Sequence, residues 1–227
     1  MKDNSVLRLG GAMAILLGLA KVLSSVLFLL LPEALRQTAK GPVFLPAYAQ
    51  DPGMLNAFFW SEALVGIFGL AVVPALASLV HSRSEGWTRW ASTLALAGFV
   101  ITSVGYMLSY AKLPGIAAAF VAGDASTKAA LAAVWRSSPD LLGFWGYGAV
   151  GIWVLVVSLL ALRGKELPSI LNIIGILLAL LYILVPISVM QKSATLQVGI
   201  AGAGALLAPV WYIWTGLALM SRRTEAA

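Results

Sequence analysis

Leu9 to Leu31 reads LGGAMAILLGLAKVLSSVLFLLL, an apolar run in which Lys21 is the only charged residue. At 1.5 Å of helical rise per residue, about 20 such residues cross the roughly 30 Å of hydrocarbon in a bilayer. The run therefore reads as a membrane-spanning helix. A charge near the bilayer centre costs about 2.5–3.5 kcal/mol on insertion scales, so Lys21 calls for a partner or a use. Five further runs of similar length follow, at approximately Leu55 to Val80, Trp90 to Tyr110, Leu141 to Leu162, Leu167 to Met190 and Thr195 to Met220. The fold class that follows is all-α: a polytopic membrane protein of six transmembrane helices, with residues 1–227 forming one domain.

Composition points the same way. Hydrophobic residues make up 60% of the 227 positions and charged ones 11%, with a mean hydropathy of +0.93, whereas soluble domains carry about 25% charge. The expected solvent partner is the lipid bilayer. Cysteine is absent and His81 is the only histidine. That removes thiolate nucleophiles, disulfides, iron–sulfur ligation and most zinc or haem sites, so no metal and no cofactor is expected.

The net charge of +6 is explained by membrane topology and calls for no nucleic acid partner. Lys2, Arg8, Arg83, Arg89, Arg163, Lys165, Arg222 and Arg223 crowd the termini and two short connections. Arg36, Lys40, Lys112, Lys128, Arg136 and Lys192 are spread thinly over the longer opposite loops, offset by Glu33, Asp51, Asp124 and Asp140. By the positive-inside rule, both termini are expected in the cytoplasm. The first run resumes past Lys21 with no small-x-small cleavage site, so a retained helix is expected in preference to a cleaved signal peptide.

This orientation sets the depth of the charges. The first helix runs outward, placing Lys21 about 15 Å below its outer end at Leu31. The second runs inward and carries Glu62 about 10 Å below the same face, counting from Leu55. The two lie within a helical turn of each other in depth, and a lysine stem can reach across the difference. An ion pair between the first two helices is expected. Such a pair can serve only to fix helix register, or it can be the centre of a polar site for a ligand, ion or proton.

Tyr106, one turn below the outer end of the third run, and Tyr147, about 9 Å in from Leu141, fall in the same layer. They are the candidates to share a pocket with Lys21 and Glu62, although tyrosines near a membrane surface also serve as anchors. Ser24, Ser25 and Ser61 are close in sequence. Gly143, Gly146, Gly148 and Gly151 allow a neighbouring backbone to approach, and Gly199, Gly202 and Gly204 read as a second close-packing surface. Pro74, Pro186 and Pro209 predict kinks. Asn172 is expected to make one interhelical hydrogen bond, and Trp87, Trp90, Trp211 and Trp214 to form a cytoplasmic aromatic belt.

Two outer loops invite a local reading. Gly41 to Gly53 holds Pro42, Pro46 and Pro52, which favours extended backbone along the interface over a helix. Between Lys112 and Asp140, Asp124 or Ser126 can cap a short interfacial helix running through Lys128, Leu131, Val134 and Trp135 and stopping before Pro139.

The stretch from Lys128 to Leu184, with Ser138-Pro139, the glycine-rich fourth run, Leu162-Arg163-Gly164-Lys165-Glu166-Leu167-Pro168 and Ile170-Leu171-Asn172-Ile173-Ile174-Gly175, resembles a bacterial six-helix membrane family, domain of unknown function forty-three eighty-six. The aromatic final run, Trp211 to Leu219, fits the ending of that family. The resemblance implies the six-helix fold and a bacterial inner membrane, and it supplies no catalytic residues.

Three function classes remain. One is a small binding or transport-like protein that holds a small or lipid-like ligand in an outer-half pocket around Lys21, Glu62, Tyr106 and Tyr147. Another is an accessory subunit that docks a membrane-protein partner. An intramembrane enzyme has the least support, because no Ser/His, Cys/His or paired-carboxylate constellation is present. No internal repeat of the transporter kind is found.

Overall fold

The computed structural model describes residues 4–37, 40–135, 140 and 143–222. In lipid a spanning backbone must satisfy its own polar groups, and among the described residues the regular structure is entirely helical. The elements are α1 (Asn4–Leu30), α2 (Glu33–Arg36), α3 (Gly41–Gln50), α4 (Gly53–Val80), a 3-10 turn (His81–Arg83), α5 (Glu85–Ala122), α6 (Ala125–Val134), a π-helical segment (Phe144–Ala149) that runs into α7 (Val150–Gly164), α8 (Ser169–Met190) and α9 (Ala194–Met220). Six are long and apolar enough to span a membrane: α1, α4, α5, the π segment with α7, α8 and α9. The protein is a multi-pass membrane protein.

These six spans close a ring. Each packs against the next along the chain, and α9 returns against α1. The start of α1 and the end of α9 meet at one end of the bundle, where Gly11 abuts Met220. At that end Glu166, in the short α7–α8 connection, pairs with Arg83 at 3.5 Å and with Arg222 at 3.2 Å. Arg222 also donates to the Glu166 backbone carbonyl. One carboxylate thus ties three elements together.

Lipid as the solvent turns the usual pattern outward. On α8 the exposed residues Ile170, Ile173, Leu177, Leu180, Leu184 and Ile187 recur at three and four, one apolar stripe on the outer face. The opposite face buries Leu171, Asn172, Gly175, Leu178, Ala179 and Tyr182. The outer stripe is wholly large and apolar, while the small and polar residues Asn172, Gly175 and Ala179 are confined to the inner face, beside Leu171, Leu178 and Tyr182.

At the other end of the bundle lies a second packed layer. The Pro-rich stretch after Gly41 is a helix, α3, where the sequence predicts extended backbone. Pro42 falls in the first turn, where its missing N–H has no helical partner to lose. Pro46 forfeits one backbone bond, and burial of Phe44, Leu45 and Tyr48 outweighs it. The expected helix between the third and fourth spans is α6. Asp124 caps it, accepting from the Thr127 backbone N–H at 2.8 Å, while Ser126 donates to the same carboxylate oxygen. Trp135 stacks on Phe44 with 4.6 Å between ring centroids, which joins α6 to α3.

Other differences from the sequence reading have simple causes. The third span continues to Ala122, twelve residues past Tyr110, because α5 also packs on α3 and α6. Gly199 and Gly202 face open space, so among the described residues they pack against no other helix. Gly151 does sit against Tyr182 and Ala179 of α8. Trp211 is buried against Trp153 and is no part of a belt, whereas Trp87, Trp90 and Trp214 are exposed. Asn172 donates to the Leu167 carbonyl of its own hairpin at 3.1 Å, not across helices. Pro74, Pro186 and Pro209 lie inside α4, α8 and α9, where the sequence sets them. The expected start of the fourth span at Leu141, the helix stop at Ser138-Pro139, and Lys2, Arg136 and Arg223 lie outside the described residues.

Candidate functional site

Lys21 on α1 and Glu62 on α4 meet in the ring interior. The Lys21 ammonium lies 2.8 Å from one Glu62 carboxylate oxygen and 3.1 Å from the other. The lysine side chain is 14% exposed and the glutamate 6%. Buried charges persist when paired and hydrogen-bonded. The nearby serines do not join them: Ser24 donates to the Lys21 carbonyl and Ser61 to the Phe58 carbonyl, each within its own helix.

What surrounds the pair depends on two glycines. One turn after Glu62, Gly66 lets α5 come close: a methyl group there would lie 2.6 Å from the Phe99 carbonyl oxygen. This approach brings the Thr102 and Tyr106 face of α5 alongside the ion pair. Gly143 has a φ of +69°, a left-handed conformation that glycine adopts at no steric cost. The chain turns there into the π segment, and the Asp140 carboxylate accepts backbone N–H bonds from Trp145 at 3.1 Å and Gly146 at 2.7 Å. Wide turns of this kind are rare and re-aim the side chains they carry. Here the segment places the Tyr147 ring beside the lysine, 5.8 Å from the ammonium to the ring centroid, at the limit of cation–π attraction.

Tyr147 meets Tyr182 of α8 edge-on at 5.4 Å. Tyr106 packs edge-on against Phe58 at 5.9 Å. Around the ion pair these rings leave a cavity of about 190 Å³, lined by residues from all six spans. Lys21, Glu62, Tyr106 and Tyr147, the four residues singled out in the sequence, all line it. So do Thr102 and Ser109 of α5, Asp140, Tyr182 and Tyr212. Among the described residues none of the four phenolic hydroxyls has a hydrogen-bond partner.

Two of the tyrosines escaped the sequence reading for different reasons. Tyr182 lies about 12 Å below Met190, at matching depth, but sits in a leucine-rich run and reads as apolar. Tyr212 lies about 25 Å from Thr195, which is too deep for the layer. Tyr212 nonetheless lines the same cavity as Lys21, so counting from Thr195 misplaces it. Asp140 reads from sequence only as loop charge.

The model of the family Domain of unknown function (DUF4386) matches residues 12–221. The chain belongs to this family. No curated protein and no solved structure matches the chain. The matched region of this DUF4386 member contains every residue that lines the cavity. Among the described residues no group of three or more His, Cys, Asp or Glu could hold a metal ion.

Proposed function

We propose that this DUF4386 member binds a small polar solute in the cavity around Lys21 and Glu62 and passes it between the membrane and one aqueous side. The observation carrying this reading is the set of four tyrosines that line one cavity with an ion pair and whose hydroxyls have no hydrogen-bond partner among the described residues. Buried polar groups are ordinarily satisfied, so a shell of free donors and acceptors around a charge pair fits a solute-binding role. A lysine and glutamate packed without space around them would have suited a purely structural pair in an accessory subunit. The size of the cavity, about 190 Å³, is below the roughly 300–1,000 Å³ of drug-sized sites and favours a small solute over a lipid.

The proposed setting is a bacterial inner membrane with both termini in the cytoplasm. Arg8, Arg83, Arg89, Arg163, Lys165 and Arg222 gather at the end of the bundle where α1 starts and α9 ends, which supports this orientation. With this orientation the cavity lies in the outer half of the bundle, the half that carries α3 and α6.

The absence of cysteine makes the test clean. A Thr102→Cys variant in intact spheroplasts should react with a small, charged thiol reagent added outside, and a bound solute should slow that reaction. A Thr102→Cys thiol that stays inert in spheroplasts, yet reacts after unfolding, would remove the solute-binding reading.

A further inference from the structure

The cavity presents its cation more than its anion. The Lys21 side chain is 14% exposed against 6% for Glu62. Both carboxylate oxygens of Glu62 already face the ammonium, which carries a third N–H. The four phenols supply further donors. Asp140 stands on the wall as a second carboxylate, with its oxygens accepting the N–H groups of Trp145 and Gly146. The cavity is therefore rich in donors, and its carboxylates already have donors facing them.

We infer that the solute is a small monoanion of the carboxylate type, which takes Glu62's place on Lys21 while Glu62 takes up one proton from water. This rests on the small-solute reading above. As it stands, the Lys21–Glu62 pair sums to zero formal charge, and Asp140 adds a further carboxylate to the wall. A monoanion arriving without a proton would leave one uncompensated negative charge within the bilayer, which low-dielectric surroundings oppose strongly. Protonating Glu62 restores the charge that the cavity had before: the incoming anion accepts from the ammonium and the phenols, and the carboxylic acid formed at Glu62 donates one hydrogen bond. The one covalent change is the O–H bond formed at Glu62, whose proton leaves hydronium or a buffer acid in the aqueous phase, and one proton accompanies each anion.

The groups facing the pair are Tyr106 from α5, Tyr147 and Asp140 from the π segment and its approach, Tyr182 from α8 and Tyr212 from α9. None of them supplies a second cation. Among the described residues that line the cavity, Lys21 is the one ammonium or guanidinium, and an anion held by it shares it with Glu62.

The experiment compares three molecules of nearly the same shape, acetate, acetamide and acetamidinium, by titration calorimetry on the full chain in nanodiscs. Running it at neutral pH in two buffers of different ionisation enthalpy counts the protons taken up. Acetate should bind at least tenfold tighter than the other two, with one proton taken up per acetate. Glu62→Gln should bind acetate with no proton uptake, and Lys21→Gln should lose acetate binding. Should either variant fail to fold, the wild-type proton count and the three-ligand order decide alone. Acetate binding without proton uptake, or equal binding of acetamide or acetamidinium, overturns the inference while leaving a solute site in place. Failure of all three to bind overturns it as well, and with an inert Thr102→Cys thiol takes the solute-binding reading with it.

Discussion

The Lys21 ammonium bridges both oxygens of the Glu62 carboxylate, at 2.8 and 3.1 Å, across 41 residues of chain. Removing one partner of a buried pair strands the other charge, at a typical cost of about 3–5 kcal/mol, whereas replacing both with apolar groups of similar volume is often neutral. Lys21→Met and Glu62→Met should each destabilise the bundle by about that amount, and the double variant should come close to the wild type. Unfolding of the four proteins in detergent gives the coupling energy. Additive losses would mean that the two side chains act independently.

Two glycines of similar sequence context should respond in opposite ways. A methyl group at Gly66 would lie 2.6 Å from the Phe99 carbonyl oxygen and 2.8 Å from the Ser103 nitrogen. Both are backbone atoms, so α4 and α5 would have to separate, and Gly66→Ala should cost about 1–3 kcal/mol. At Gly202 no atom lies within 4 Å of the added methyl, and Gly202→Ala should gain about 0.5–1 kcal/mol from the helix interior. Thermal unfolding of the purified variants distinguishes them by sign.

The stacked pair Phe44 and Trp135 should hold the layer above the cavity together. Aromatic pairs contribute about 0.5–1.5 kcal/mol beyond their buried area. Trp135→Ala should speed amide exchange in Gly41–Gln50 and Ala125–Val134 and leave the six spans protected. Equal acceleration across the whole chain would show instead that this layer and the bundle unfold as one unit.

The spans were legible in the sequence because lipid enforces a length and an apolar composition that globular solvent does not. The depth argument for Lys21 and Glu62 worked for the same reason, since residue number along a spanning helix converts directly to depth. It did not place Tyr212, which counting from Thr195 sets about 25 Å deep although it lines the same cavity as Lys21. Outside the bilayer this ruler is lost. The helix α3, with Pro42 and Pro46, owes its form to the burial of Phe44, Leu45 and Tyr48, which propensity does not report. The π segment depends on Gly143 and on the Asp140 carboxylate, a local arrangement with no periodic signature. A single sequence also gives no means to tell glycines that face a neighbour, such as Gly66, from those that face lipid, such as Gly202.

Helix α6 should depend on pH through its cap. The Asp124 carboxyl is held below the usual carboxylate range, first by the Thr127 backbone N–H and then by the hydroxyls of Thr127 and Ser126. A carboxyl that loses its proton more readily when folded than when unfolded stabilises the fold above its unfolded value, near pH 4. That contribution is lost as pH falls through the lower, folded value. Amide exchange in Ala125–Val134, corrected for intrinsic rates, should therefore accelerate below about pH 4 in the wild type. Asp124→Ala should already show the faster exchange at neutral pH and lose the acid-dependent step, while Asp124→Asn, which can still accept the Thr127 N–H, should fall between the two. Identical pH profiles for the wild type and Asp124→Ala would show that the cap contributes nothing to α6.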